Sequence, residues 1–257
     1  VLREPPAENT AEFLGGDGTA ANPYLISDLT HLDNIRRYPD AHFHLIADLT
    51  FTEEDFAKDG LFYNDGQGWE PIGTDVYTAF TGTLDGDGHT ITGLQIQMTV
   101  DTYSKVYAGL FGQNRGLIQN LHMQEGSVSV SSHSDIYVGG IAGYSFGNGT
   151  IIGCTNSGSV AAYTDNTSIA ADISTSAGGI AGYNDGGIIT DCSNTGSVYS
   201  SHRAGGIVGY NTSNVDYPAG GAVTDCSNTG SVSSSYTAGG IVGNNDNGTI
   251  NGCRDTG

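Results

Sequence analysis

Gly139-Gly140-Ile141-Ala142-Gly143, Gly178-Gly179-Ile180-Ala181-Gly182, Gly205-Gly206-Ile207-Val208-Gly209 and Gly239-Gly240-Ile241-Val242-Gly243 are four copies of one phrase, and a variant, Ala108-Gly109-Leu110-Phe111-Gly112, precedes them. Each later copy is followed in a matching frame by one cysteine, Cys154, Cys192, Cys226 or Cys253, where the variant has Leu121. Three of those cysteines lead into the same run, Asn156-Ser157-Gly158-Ser159-Val160, Asn194-Thr195-Gly196-Ser197-Val198 and Asn228-Thr229-Gly230-Ser231-Val232. Successive double glycines lie 39, 27 and 34 residues apart, so insertions enter one turn while the rest of the unit keeps its frame. Fixed units with variable insertions describe a solenoid, in which no unit buries its apolar face alone and stacking builds the core.

Each unit offers three short β-type steps separated by Gly, Asn and Asp, residues that accept tight and left-handed turns. Helical repeats are excluded by the Gly, Ser, Thr and Asn content and by the lack of an apolar stripe at helical spacing. A propeller blade needs four strands of alternating faces, which the units do not supply. The expected fold is all-β: a right-handed parallel β-helix with a short N-terminal capping helix. In it Ile141, Ile180, Ile207 and Ile241 stack inward, as do Val160, Val198 and Val232, and Asn156, Asn194 and Asn228 form an amide ladder at a corner. About seven coils at a strand spacing of ~4.8 Å give a rod of roughly 30 to 35 Å. Cysteines at one position of successive coils point the same way about one strand spacing apart, whereas a disulfide needs converging Cβ atoms ~3.8 Å apart. Cys154, Cys192, Cys226 and Cys253 are therefore expected to be reduced, small apolar fillers.

The chain of 257 residues has a formal net charge of −20 and only Lys58 and Lys105 as lysines, which argues against nucleic acid or an anionic membrane surface as partner. No apolar run reaches the length of a membrane span and no signal peptide opens the chain, so membrane insertion is not expected. No Cys-x-x-Cys pair or adjacent His supplies a metal ligand set. No cofactor is expected beyond surface calcium in acidic turns such as Gly16-Asp17-Gly18 or Asp85-Gly86-Asp87, neither of which completes an EF-hand loop. The last copy breaks off at Cys253-Arg254-Asp255-Thr256-Gly257 where the others continue with Ser-Val, which leads us to expect a monomeric fragment of a longer protein.

The N-terminal half reads as a mobile leader over residues 1–12, then a cap and irregular first coils over 13–107, continuous with regular coils over 108–257. Ser27 is expected to cap a helix running to about Tyr38 with Leu29, Leu32 and Ile35 on one face. Strand-like runs follow at Phe43 to Leu49, Trp69 to Gly73, Phe80 to Leu84 and Thr90 to Gln97. Gly15-Gly16-Asp17-Gly18-Thr19, Asn22-Pro23-Tyr24-Leu25-Ile26, Trp69-Glu70-Pro71-Ile72-Gly73 and Phe80-Thr81-Gly82-Thr83-Leu84-Asp85-Gly86-Asp87-Gly88 resemble the opening of bacterial cell-surface proteins carrying the GLUG motif. Gly109-Leu110-Phe111-Gly112 and the four later phrases resemble the motif itself. The resemblance covers nearly the whole chain. It implies an exported bacterial β-helix, extracellular or at the cell surface, found as stalks or modules in adhesin-like proteins and in some immunoglobulin A peptidases, and it carries no catalytic residue.

A peptidase site is not expected within the chain, which lacks His-Glu-x-x-His. The enzymatic alternative is a carbohydrate-active β-helix, a polysaccharide hydrolase or lyase, which needs clustered carboxylates. Asp191 and Asp225 are equivalent in adjacent coils, but Gly153 and Gly252 hold that place in the flanking copies, so no catalytic residue is assigned. Tyr144, Tyr183 and Tyr210 directly follow the phrase and are the candidate ligand-binding residues, since exposed rings stack on sugars; ring stacking for structure alone is the competing reading. His89, His122 and His202 have no partner in the sequence that would make them ligands. The leading expectation is a non-catalytic adhesion or spacer module presenting loops to a host glycan or protein, with specificity in residues 101–106, 131–137, 161–176 and 212–221.

Overall fold

A computed structural model describes residues 12–101, 104–164, 174–213 and 220–257. All pairings between its named strands are parallel, and they assemble five sheets: one of eight strands, one of seven and three of five. The chain visits the sheets in rotation. One turn runs through Val106–Ala108, Phe111–Asn114, Leu117–Gln119, His122–Gln124 and Ser127–Ser132 before Ile136–Gly139 pairs back on Val106–Ala108. This is a parallel β-helix.

Five strands per turn, rather than three, follow from where the bends fall. In the first full copy Gly139 ends one strand and Ala142 begins the next, so the repeated phrase is a corner and not a strand. Ile141 sits in that corner with no exposed surface, and its amide donates to Ile180 O at 3.1 Å. The double glycine is needed because the next coil runs too close for a Cβ: one built on Gly140 would lie 2.5 Å from Gly179 O and 2.7 Å from Asn156 Cγ. Cysteine marks a second corner, between Thr150–Ile152 and Thr155–Asn156.

Strand register aligns like on like. Tyr24, Phe43, Leu84, Ile118, Ile151, Ile189, Val223 and Ile250 form one column through eight coils. Ile96, Val128, Val160, Val198 and Val232 form a second. Removing such columns from water is the main favourable term in the fold, at roughly 1.5–3 kcal/mol per fully buried branched side chain.

The early coils depart from the sequence reading in several places. Asp28, not Ser27, caps the helix: its Oδ1 accepts the His31 amide at 2.8 Å, and Ser27 instead meets His31 Nδ1 at 3.2 Å. The helix proper spans Leu29–Asn34 and tightens into a 3-10 turn over Ile35–Arg37, burying Leu32 and Ile35 while Leu29 is half-buried. The segment from Trp69 to Gly73 forms no strand, because Pro71 has no amide to donate and Gly73 turns left-handed with φ 72. Only Ile72 bridges, to Phe111. The other runs shorten or divide into His42–Leu45, Leu49–Thr50, Thr83–Asp85, Thr90–Thr92 and Gln95–Val100, the last two parted by Gly93 at φ 78. Of the leader, residues 1–11 lie outside the described residues, and Glu12 is held by Tyr38 Oη at 2.6 Å and Arg37 at 2.7 Å.

Candidate functional site

Tyr144, Tyr183 and Tyr210 occupy one register position on three consecutive strands, flanked by Gln113 on the coil before and Asn244 on the coil after. Their side chains point away from the core because the residues on either side, such as Gly143 and Ser145, are buried and strand neighbours alternate. Ring centroids are 5.2 Å apart for Tyr144–Tyr183 and 4.8 Å for Tyr183–Tyr210. Tyr107 and Tyr137, on the adjacent sheet, join them: Tyr107 stacks on Tyr144 at 5.5 Å and on Tyr137 at 5.6 Å, and Tyr137 meets Tyr183 at 5.1 Å. Phe146 stacks nearly flat on Tyr144 at 4.7 Å. The three predicted tyrosines are thus part of a six-ring face. The sequence signal for the added rings is Val106-Tyr107-Ala108 and Ile136-Tyr137-Val138, a repeated apolar-Tyr-apolar step just ahead of the phrase.

Three basic residues of this acidic chain lie on that face. Lys105 Nζ sits 5.8 Å from the Tyr137 ring, Arg115 5.2 Å from Phe146 and Arg203 4.9 Å from Tyr210. Carboxylates answer them. Tyr144 Oη donates to Asp185 Oδ2 at 2.7 Å, Tyr210 Oη to Asp246 Oδ2 at 3.3 Å, and Lys105 pairs with Asp135 at 3.8 Å. Burial, followed by the hydrogen bond to Asp185, pushes the Tyr144 phenol far above its ordinary value. Tyr137 and Tyr183 are raised as well, chiefly by burial and then by the charges of Asp135 and Asp185. These phenols are neutral donors at any physiological pH.

Along the column Tyr183 has ring neighbours on both sides, Tyr144 and Tyr210, at interplanar angles of 45° and 42°. The column opens at its N-terminal end into a cleft of about 510 Å³, lined by Tyr107, Tyr144, Phe146, Gln113 and Lys105 and by the turn at Thr74 to Val76. Tyr183 and Tyr210 do not line it. Gln113 is fixed there by Nε2 donating to Thr74 O at 3.2 Å.

Asn156, Asn194 and Asn228 stand in register, each Nδ2 donating to the Oδ1 of the next at 2.9 Å and to the glycine carbonyl two residues on, and Asp255 takes the amide of Asn228 at 2.8 Å. A second ladder runs through Asn184, Asn211 and Asn245 at 2.8 and 2.7 Å, directly after the tyrosine positions. Its signal is the Asn that follows Tyr183, Tyr210 and Asn244, a series that Ser145 interrupts after Tyr144. Cys154, Cys192, Cys226 and Cys253 are free thiols; the first three are buried and Cys253 is half-buried. Each donates to the carbonyl two residues back, at 3.1 to 3.3 Å. Hydrogen bonding between neighbouring thiols, then burial, raises Cys226 well above an ordinary thiol. Cys192 is raised too, first by its bond with Cys154.

Asp191 and Asp225 sit at a left-handed corner, φ 53 and 51, which Asn120, Gly153 and Gly252 share with φ 52, 62 and 64. That conformation selects Asn, Asp and Gly, and explains why these types alternate there. In the acidic turns, Asp85 accepts from the Asp87 amide, Gln119 and Asn120, and Asp17 accepts from Thr19. Among the described residues no group of three His, Cys, Asp or Glu side chains is placed to hold a metal ion. His89 meets Asp48 at 3.1 Å and His122 meets Thr155 at 2.9 Å, while His202 Nδ1 is buried without a hydrogen bond. Of the four expected specificity loops, residues 102–103, 165–173 and 214–219 lie outside the described residues. No helix among the described residues is long and apolar enough to cross a membrane.

Stacked coils, amide ladders and an outward aromatic face define a parallel β-helix repeat protein. The chain carries three matches to the family described as "The GLUG motif", at residues 134–161, 173–199 and 200–233. It is 37% identical over 141 residues to a "Putative Gly-rich membrane protein" of Evansella cellulosilytica, covering 54% of this chain and 15% of that one. It is also 37% identical over 164 residues to "Halomucin" of Haloquadratum walsbyi, covering 62% of this chain. The chain spans only 15% and 2% of those relatives' own lengths. A crystal structure titled as a putative immunoglobulin A1 protease from Bacteroides ovatus shares the fold, with a TM-score of 0.59 at 20% identity over 95% of this chain and 78% of that one.

Proposed function

We propose that this chain is a non-catalytic segment of a bacterial cell-surface protein, a stiff β-helical spacer that presents one aromatic flank and its loops to a host glycan or protein. The observation that carries the reading is the six-ring face. A solenoid core does not require it, yet tyrosines recur there in register, Tyr107, Tyr144, Tyr183 and Tyr210 half-buried over a buried Tyr137, with basic side chains laid over the rings. Rings with a polar tip give large contact area at low entropic cost, which suits recognition. The names of the two relatives, a Gly-rich membrane protein and a halomucin, are in keeping with a surface location. The enzymatic alternative receives no comparable support, because Asp191 and Asp225 are accounted for by their backbone conformation.

A glycan and host-protein array, run beside a reducing-sugar assay on host and plant polysaccharides, tests this. Binding without turnover is expected, together with labelling of intact cells by an antibody against this chain. Turnover that disappears in Asp191→Ala and Asp225→Ala would establish the enzymatic reading instead.

A further inference from the structure

We propose that the cleft at the N-terminal end of the tyrosine column is a subsite for one uncharged hexopyranose ring of a glycan. This rests on the reading of the chain as a display module and names the chemistry that one end of the module takes. The cleft lies at a step in the fold. Val106–Ala108 and Phe111–Asn114 are the first strands of their sheets. Among the described residues no earlier strand therefore supplies a residue in register beneath Tyr107, whose ring stacks on Tyr137 and Tyr144. Beneath Phe111–Asn114 the place of a strand is taken by the turn around Asp75, pinned at either side by the bridges Ile72 to Phe111 and Phe80 to Asn114.

That turn carries the second observation. Val76 is 51% exposed and lines the cleft, and Tyr77 beside it is 94% exposed. The turn is ordered by Asp75, whose Oδ1 accepts the amides of Tyr77 at 2.7 Å and Thr78 at 3.1 Å. Val76, an apolar side chain half in water on a hydrogen-bonded turn at the rim of a ring-lined cleft, is placed for contact whose ordering cost is partly met. The aromatic and Val76 surfaces suit the C–H face of a sugar ring. Gln113, Ser104 and Lys105 supply amide, hydroxyl and ammonium groups for its hydroxyls, and Lys105 lies 3.8 Å from Asp135, beyond hydrogen-bond reach.

Charge selects among sugars. The cleft is lined by one cation, Lys105, and one carboxylate, Asp75, within a chain of net charge −20. Its own lining is balanced and the surrounding field repels polyanions, so an uncharged sugar fits and an acidic one does not. The volume of about 510 Å³ falls within the roughly 300–1,000 Å³ usual for small-molecule sites.

The test is titration of the purified chain with uncharged gluco-, galacto- and manno-configured oligosaccharides and with oligogalacturonate and sialyllactose, followed by calorimetry and amide shift mapping. An uncharged oligosaccharide is expected to bind and to shift amides of residues 74–78 and 104–113. Tyr107→Ala and Lys105→Ala should each weaken it about tenfold, a loss of ~1.4 kcal/mol, while Tyr210→Ala at the far end changes it less than about twofold. Val76→Ser, on the exposed turn, should weaken it about fivefold without touching the core, and it decides the matter if Tyr107→Ala fails to fold. Binding unaffected by Val76→Ser and Lys105→Ala, shifts confined to residues around Tyr210, tighter binding of the acidic sugars, or no binding of any sugar would each overturn the subsite. The display-module reading would survive these outcomes if the chain labels on intact cells and binds elsewhere on its surface. Failure of that labelling, with the cleft still binding the uncharged sugar, would sink the surface reading and leave the subsite standing.

Discussion

The coils before Val106 and those after it share three sheets, yet they hold themselves together differently. All the phenylalanines except Phe111 and Phe146 lie in the earlier part, as does the single tryptophan. There the interior is filled by rings: Phe51, Phe62 and Trp69 meet at 5.2 to 5.6 Å, and Trp69 Nε1 donates to Leu110 O at 3.1 Å. The later coils use small and β-branched residues, close backbone contact at glycine corners, and amide ladders. The reason is geometric. A repeating coil can be satisfied by its own copy above and below, whereas the end of a stack has no copy to lie on and must be closed by bulk.

The largest expected effect is on the ring-filled part. Trp69→Ala removes its most voluminous buried side chain and should cost about 3–5 kcal/mol by denaturant unfolding. A cost below about 1 kcal/mol would show that the early coils do not depend on ring packing. In the regular part the counterpart is Gly206→Ala, whose Cβ would run into Gly240 O and the Asn228 side chain; a loss of about 3 kcal/mol is expected. Gly88→Ala serves as its control among the early coils. Nothing lies within 4 Å of a Cβ there, so only the strain of φ 78 remains, about 1 kcal/mol. Equal losses at the two glycines would erase the distinction between corner packing and turn conformation.

Asn194→Ala should cost about 2 kcal/mol, because it leaves the Asn156 amide and the Asn228 carbonyl oxygen each short of a partner in the interior. Trp69 fluorescence and far-UV circular dichroism separate the parts in this variant. The dichroism transition should move to lower denaturant more than the Trp69 transition does, and coincident shifts would mean that the two parts unfold as one.

Proton linkage sharpens the same contrast. Cys192 and Cys226 are raised in the folded chain, so their contribution is present below the unfolded thiol value of about 8.5 and is lost as pH rises above it. Between about pH 9 and 10, before unfolded tyrosines ionise, stability should fall by up to about 1.4 kcal/mol per thiol per pH unit, and the double Cys192→Ala, Cys226→Ala variant should flatten that limb. At the other end Asp85, in the early coils, is held below the usual carboxylate range: burial opposes this but is outweighed by hydrogen bonds from the Asp87 amide, Gln119 and Asn120. Its contribution is present above about pH 4 and is lost as pH falls further. The smallest effect is expected at the exposed His44–Asp87 pair, where His44→Ala should change stability by less than about 0.5 kcal/mol at pH 7.

How much could be read in advance differs between the parts for the same reason. Where the sequence repeats, register is written in it: Tyr144, Tyr183 and Tyr210 share a frame and therefore a register position. The Asn184, Asn211 and Asn245 ladder follows the same frame, but Ser145 breaks its series at the first copy and masks it. Where the sequence does not repeat, local cues misplace elements. Ser27 and Asp28 are both good caps, and only the direction of the chain entering the helix decides that Asp28 reaches the His31 amide. The run at Trp69 to Gly73 has the residues of a strand, but its hydrogen bonds go to Gln95 and Leu110 on other segments.

By itself, then, the sequence determined the solenoid, its inward columns and the frame of its tyrosines, because stacking places each residue against its own copy one coil away. The number of sheets per turn, the joining of Tyr107 and Tyr137 to the aromatic face, and the cleft against the turn at Asp75 were decided only by tertiary structure. They depend on how far the chain rotates at each glycine corner and on which strands lack a coil beneath them, and neither quantity is local to any stretch of residues.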